Sequence, residues 1–183
     1  MKKIVTLLVL FTSLHCVATA QKYFTKNGQI SFFSKATLEN IKADNNQVTS
    51  TLNTSTGELL FSLLNNAFHF EKALMEEHFN DNYMESDKYP RSTFRGSITN
   101  ISAINVGTDG TYTANVTGDL TIHGVTKNIT VAGSILVKGG KVSASAVINV
   151  KPKDYNISIP AAVRNNISET IQLTINCNYE NRS

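Results

Sequence analysis

Four histidines, two cysteines and the acidic run between Glu71 and Asp87 are the side chains here with the widest chemical repertoire. His69 and His78 are nine residues apart, so on one continuous helix, at about 100° per residue, they would point to opposite faces and could not share a metal. The sequence has no His-Glu-x-x-His pair, no Cys-x-x-Cys and no acidic calcium loop, and no metal site is expected. Glu76, Glu77, Asp81, Glu85 and Asp87, with Lys72 and Lys88 nearby, could in principle supply two carboxylates for acid and base work. Their spacing reads instead as a solvated helix face and loop. Cys177 lies on the apolar side of a strand pattern, where a thiol is a small hydrophobe, and no Gly-x-Ser-x-Gly elbow or phosphate-cradling glycine loop occurs. His123 precedes Gly124 at a strand junction and reads as an exposed or backbone-bonded turn residue with a structural role. No catalytic residue and no cofactor is expected.

The elements around these residues are strands. Among 183 residues are 20 Thr and 20 Asn; Thr favours strands and Asn favours turns and caps, which disfavours an all-α protein. Period-two alternation marks strands at 29–36, 47–52, 58–64, 93–104, 111–122, 125–138, 142–150 and 169–179. Asn53-Thr54-Ser55-Thr56-Gly57, Gly107-Thr108-Asp109-Gly110 and Gly139-Gly140 are turn chemistry between them. Eight strands joined mainly by short turns, without helices to carry parallel crossovers, make an antiparallel up-and-down sheet. Such a sheet buries its apolar face against a second sheet or by closing on itself, and closure also removes aggregation-prone edges. The expected fold is therefore all-β, an eight-stranded antiparallel barrel with a short helical insertion, Glu71–Phe79, between strands 3 and 4.

That insertion lies within the longest connection, 65–91, which is also the richest in aromatic and Met side chains. It can plug one end of the barrel or form a lid over a cavity. Gly96, Gly118, Gly133, Ala144 and Ala146 recur on the apolar faces. They leave room for a ligand or relieve strand curvature.

At the amino terminus, Lys2 and Lys3 precede an apolar run from Ile4 to Leu14, followed by Ala18-Thr19-Ala20. This is the layout of a signal peptide, 1–20, cleaved after Ala20, and the run is shorter than the roughly 20 residues a membrane span needs. A single domain, 21–183, then remains, periplasmic or secreted, with no stable membrane insertion expected. Loss of Lys2 and Lys3 takes the formal charge from +3 to +1, too small an excess to advertise nucleic-acid binding, and leaves Cys177 without a partner for an internal disulfide.

Several separated motifs, in order, resemble the YceI-like, or polyisoprenoid-binding, family. They are Glu76-Glu77-His78-Phe79-Asn80, Tyr83-Met84-Glu85-Ser86-Asp87-Lys88-Tyr89-Pro90, Phe94-Arg95-Gly96, Leu120-Thr121-Ile122-His123-Gly124-Val125-Thr126-Lys127 and Asp154-Tyr155-Asn156-Ile157. The similarity runs from about Gly28 to Tyr179, while Tyr23-Phe24-Thr25-Lys26-Asn27-Gly28 stands where that family has an Asp-Pro and a His-Ser. The resemblance implies a lipocalin-like barrel that holds a long isoprenoid or related amphiphilic lipid in its interior without covalent chemistry.

Strand parity and the resemblance together nominate Phe32, Phe61, Phe94, Ile98, Leu120, Val131 and Leu173 as lining residues, with Phe68, Met75, Phe79 and Met84 at the mouth. Two other readings compete with lipid carriage: an envelope structural or stress-related barrel filled by its own side chains, and an enzyme acting on an apolar substrate. The sequence specifies no oligomeric state.

Overall fold

The structure, a computed structural model, describes residues 21–182. The expected export leader falls on residues 1–20, outside the described residues.

Nine strands occur in the order β1 (Lys22–Lys35), β2 (Asn40–Asn53), β3 (Glu58–Leu64), β4 (His69–Phe70), β5 (Arg91–Ile98), β6 (Gly110–Ile122), β7 (Val125–Lys138), β8 (Lys141–Val150) and β9 (Ile171–Arg182). All but β4 form a closed antiparallel barrel: each long strand pairs with its neighbour in sequence, and β1 pairs with both β2 and β9. The two-residue β4 pairs with Ala43 and Asp44 of β2. Among the described residues, the single α-helix is α1 (Ala73–His78), in the connection between the third and fourth barrel strands.

From β6 onward the strands and the β7–β8 turn follow the alternation that the sequence shows. Gly139 and Gly140 make the β7–β8 turn at φ +56° and +74°, and His123 and Gly124 make the β6–β7 turn at +49° and +73°. Two consecutive positive-φ residues give a turn whose twist matches that of the strands it joins.

The first half differs from expectation for an identifiable reason. β1 and β2 each run to 14 residues and begin seven residues earlier than the alternation suggests. In β1 the inward side chains are Tyr23 and Thr25, then Gly28, Ile30, Phe32 and Ser34; in β2 they are Ala43 and Asn45, then Val48, Ser50 and Leu52. Register shifts between Thr25 and Gly28, and between Gly28 and Ile30, insert extra residues in each strand and reverse its parity.

The predicted strand 93–104 ends at Ile98. A turn of 3-10 helix, Ile101–Ala103, then leads through an eleven-residue connection, 99–109, rather than a tight hairpin at 107–110. The Asp109 carboxylate accepts instead from the Gly139 backbone N–H, at 2.9 Å. The predicted helix 71–79 is also shorter, with α1 passing directly into a wide π-helical turn, Phe79–Tyr83.

Two apolar clusters occupy the interior. One, at the end bearing the β7–β8 turn, contains Tyr23, Leu52, Ile98, Val137, Val142, Cys177 and Tyr179, with Ile101, Ile104 and Val106 of the 99–109 connection packed against it. The other, at the opposite end, contains Ile30, Ala43, Val48, Leu63 and Phe68, with Phe32, Phe61, Phe70, Phe79 and Leu173 around it.

A hollow end with an aromatic rim

The barrel holds a cavity of about 380 Å³, lined almost entirely by apolar side chains. That volume lies within the range of small-molecule pockets, roughly 300–1,000 Å³. All eleven nominated residues stand on its wall: Phe32, Phe61, Phe94, Ile98, Leu120, Val131 and Leu173 from the strands, and Phe68, Met75, Phe79 and Met84 from the insertion. Phe32, Phe61, Phe94, Val131 and Leu173 point inward yet are only half-buried, because one side of each faces open space rather than other atoms.

The insertion 65–90 forms much of the rim. Asn65, fully buried, fastens both of its ends: its backbone N–H donates to the Pro90 carbonyl at 2.9 Å, its Nδ2 donates to the Tyr89 carbonyl at 2.6 Å, and its Oδ1 accepts from Ser92 at 2.8 Å. In the π-helical turn, Met84 N–H reaches back five residues to the Phe79 carbonyl at 2.8 Å. This wide turn puts Phe79, Tyr83 and Met84 on the cavity together. Phe79 then packs with Phe70, Phe68 and Phe32 at ring separations of 5.0, 5.5 and 6.1 Å. Offset and edge-on aromatic contacts of this kind prefer separations of about 4.5–7 Å.

The rest of the rim is the connection 151–170, which the sequence reading left unassigned. Tyr155, Ile157, Ile159, Val163 and Ile167 from it line the cavity. Ser168 N–H donates to the buried Ser34 hydroxyl at 2.8 Å, and Leu38 N–H donates to the Asn165 carbonyl at 3.1 Å, which holds this segment against β1 and the β1–β2 turn. The available signal was a set of isolated Ile and Val residues in a stretch without alternation, a pattern that fits a covering loop only once the barrel beneath it is known.

The small residues divide between the two expected roles. Gly96 and Gly118 face each other across β5 and β6, and a Cβ at either would collide with neighbouring backbone and come within 2.6 and 2.8 Å of Phe94 Cζ. They permit two strands and an aromatic ring to approach closely. Gly133 also lets β7 approach β8, since a Cβ there would sit 2.9 Å from the Ser145 carbonyl oxygen, whereas Ala144 and Ala146 border the cavity and leave its volume open.

Beneath the rim, His123 joins three segments. Its Nδ1 faces the Tyr155 carbonyl at 3.1 Å and its Nε2 the Glu85 carboxylate at 2.8 Å, while Tyr89 packs edge-on against the ring at 4.4 Å. Both polar partners are acceptors, a backbone carbonyl and a carboxylate. Gly124 lets Tyr89 in, since a Cβ there would sit 2.5 Å from Tyr89 Cε1. Of the two expected readings, His123 is the backbone-bonded turn residue and not the exposed one, and it is buried as a clasp between segments. Glu85 belongs to this clasp, not to a purely solvated acidic face, and its φ of +43° records the turn that brings it there.

The two remaining histidines do not come together on one helix. His69 lies on β4, 3.5 Å from the Glu76 carboxylate, and His78 is exposed at the end of α1, on the cavity rim. Glu39, also on the rim, accepts from Lys72 at 2.8 Å, and that hydrogen bond holds its carboxyl below the usual carboxylate range. Burial pushes the phenols of Tyr83 and Tyr155 up, so both remain protonated donors at neutral pH. At the opposite end, burial pushes the Cys177 thiol up to about 11, which leaves it un-ionised and unsuited to nucleophilic work.

Comparison with known proteins places this arrangement. A family model described as the YceI-like domain matches residues 8–179. No functionally curated protein matches the chain. Among solved structures, a polyisoprenoid binding domain from Saccharophagus degradans, implicated in plant cell wall breakdown, superimposes with a TM-score of 0.75 at 15% identity, over 89% of this chain and 99% of that one. BcnA from Burkholderia cenocepacia gives a TM-score of 0.67 at 17% identity, over 84% and 96%. A mutant YCEI protein from Campylobacter jejuni gives 0.60 at 20% identity, over 80% and 87%. At these identities the likeness is one of fold.

Proposed function

The chain belongs to the YceI-like family, and from that membership and its hollow barrel we propose that it binds one long apolar lipid of the isoprenoid type and sequesters or carries it without covalent chemistry. The observation that carries this reading is the apolar cavity of about 380 Å³ walled by Phe, Ile, Val and Leu side chains that remain half-buried. Surface of that kind gains about 25 cal/mol per Å² when an apolar chain covers it, before the cost of ordering the ligand. An unbranched or isoprenoid chain suits a narrow barrel better than a compact ring system does. The adaptable Met75 and Met84 at the rim suit a flexible guest.

The binding role of the eleven wall residues, from Phe32 to Leu173, is part of this proposal, as is export to the periplasm or beyond, for which the pattern of residues 1–20 is the support. Among the described residues no helix is long and apolar enough to cross a membrane.

The test is solvent extraction of the natively purified protein followed by mass spectrometry. One equivalent of a long-chain isoprenoid lipid is the expected result. A protein that comes out empty and takes up neither isoprenoid quinones nor prenols overturns the proposal.

A further inference from the structure

The barrel wall has an opening besides its mouth. The register that joins β7 to β8 stops at Gly133 opposite Ala146. Continued, it would set Val131 against Ile148 and Ile129 against Val150. Among the described residues no ladder pair joins the two strands there, although β7 stays paired with β6 as far as Val125 and β8 with β9 as far as Val150. The gap is crossed once more beyond that point. His123, just before β7, meets the carbonyl of Tyr155, just after β8, at 3.1 Å. It is therefore a framed window and not a frayed edge.

The frame is apolar inside and out. Ile129 and Val131 on one side, and Ile148 and Val150 on the other, all line the cavity and are all half-buried. On the outer surface, where pairing ends, Ala132 is exposed and Val147 is 52% exposed. Backbone groups left unpaired here must be satisfied by water, a cost that further ladder pairs would remove. The mouth is the harder path for a long chain, because Phe79 packs there with Phe70 and Phe68 at ring separations of 5.0 and 5.5 Å. At the window a flexible tail passes aliphatic side chains and displaces no packed ring.

Resting on the lipid-binding reading above, we propose that the lipid's tail enters and leaves the cavity sideways, through the window between β7 and β8. Ala132 and Val147 form the outer lip that the tail meets first, and the His123–Tyr155 contact is the upper bar.

The experiment follows uptake and release of a fluorescently labelled geranylgeraniol by stopped-flow fluorescence, on the wild-type chain, Val147→Asp and Leu136→Asp. Both side chains are exposed on the outer surface, but Leu136 lies opposite Ser143 in the paired part of the two strands. Val147→Asp should slow uptake and release alike by at least about tenfold, because the tail must pass a charge, and leave Kd within about twofold of the parent. Leu136→Asp should leave both rates unchanged. Thr130→Cys with Asn149→Cys, in a Cys177→Ala background, should trap bound ligand on oxidation and free it on reduction. Rates untouched by Val147→Asp, or slowed equally by Leu136→Asp, overturn the window and leave lipid binding intact. An oxidised pair that exchanges ligand at the parent rate does the same, and where the pair does not oxidise, Val147→Asp decides alone. A wild-type chain that takes up no probe overturns the lipid-binding reading itself, and the window with it.

Discussion

The two ends of this barrel are built from the same alternating strands, yet one is solid and the other hollow. At the solid end, Leu52, Val142 and Cys177 are each 1% exposed, and Val137 is 2% exposed. The Ser50 and Tyr179 hydroxyls share a buried 2.8 Å hydrogen bond there, and the 99–109 connection adds Ile101, Ile104 and Val106 as a floor. At the hollow end, the wall itself is less complete: β7 and β8 pair only from Gly133 opposite Ala146 to Lys138 opposite Lys141. Beyond that point the two strands run on, β7 paired with β6 and β8 with β9, but not with each other. Facing inward is therefore not the same as being core. What differs is the covering segment, since 99–109 places its apolar side chains into the barrel while 65–90 and 151–170 arrange theirs around the rim.

Truncation is the strongest way to break this contrast. Leu52→Ala should cost about 2–5 kcal/mol, the range for emptying a close-packed site. Leu173→Ala at the hollow end should cost no more than about half as much, because part of the Leu173 side chain already faces space. Urea unfolding of both variants checks this, and equal losses would mean that the cavity is closed up in solution.

Enlargement reverses the test. Val142→Phe should destabilise by about 1–3 kcal/mol through overpacking, whereas Val131→Phe should stay within about 1 kcal/mol of the parent and abolish uptake of an isoprenoid probe. Loss of stability by Val131→Phe as large as that of Val142→Phe would remove the distinction between the two ends.

The smallest expected effect comes from pH. Burial raises the folded-state Cys177 thiol from 9.0 to about 11, so the unfolded chain releases this proton first. Stability from this group is complete below pH 9 and is lost as pH rises towards 11, by about 1 kcal/mol at pH 10. Burial pushes the Tyr179 phenol up as well, with the same sign. Alkaline unfolding curves should therefore flatten in Cys177→Ala, while Leu173→Ala at the hollow end should keep the parent's slope.

The hairpins β6–β7 and β7–β8 and the strand β9 could be read from the sequence because period-two alternation and glycine turns speak for themselves, and the parity they gave placed Leu120, Val131 and Leu173 on the cavity wall. The early halves of β1 and β2 could not, because Lys26-Asn27 and Asn46-Gln47 break the alternation with polar pairs that look like loops and are bulges. The rim was half legible: aromatic and Met residues marked 65–90, but 151–170 has no periodicity to mark it. Nor could spacing alone bring Glu85 to His123, 38 residues away.

The sequence by itself determined strand-rich architecture, the register of the later hairpins and the apolar face of each regular strand. These depend on neighbours a few residues apart, where steric preference and alternation act directly. Tertiary structure bore out the expected closure of the sheet, and it alone decided that one end fills while the other stays open and that His123 clasps three segments. Those outcomes depend on which side chains meet across the barrel, and the long connections settle that by where they come to rest.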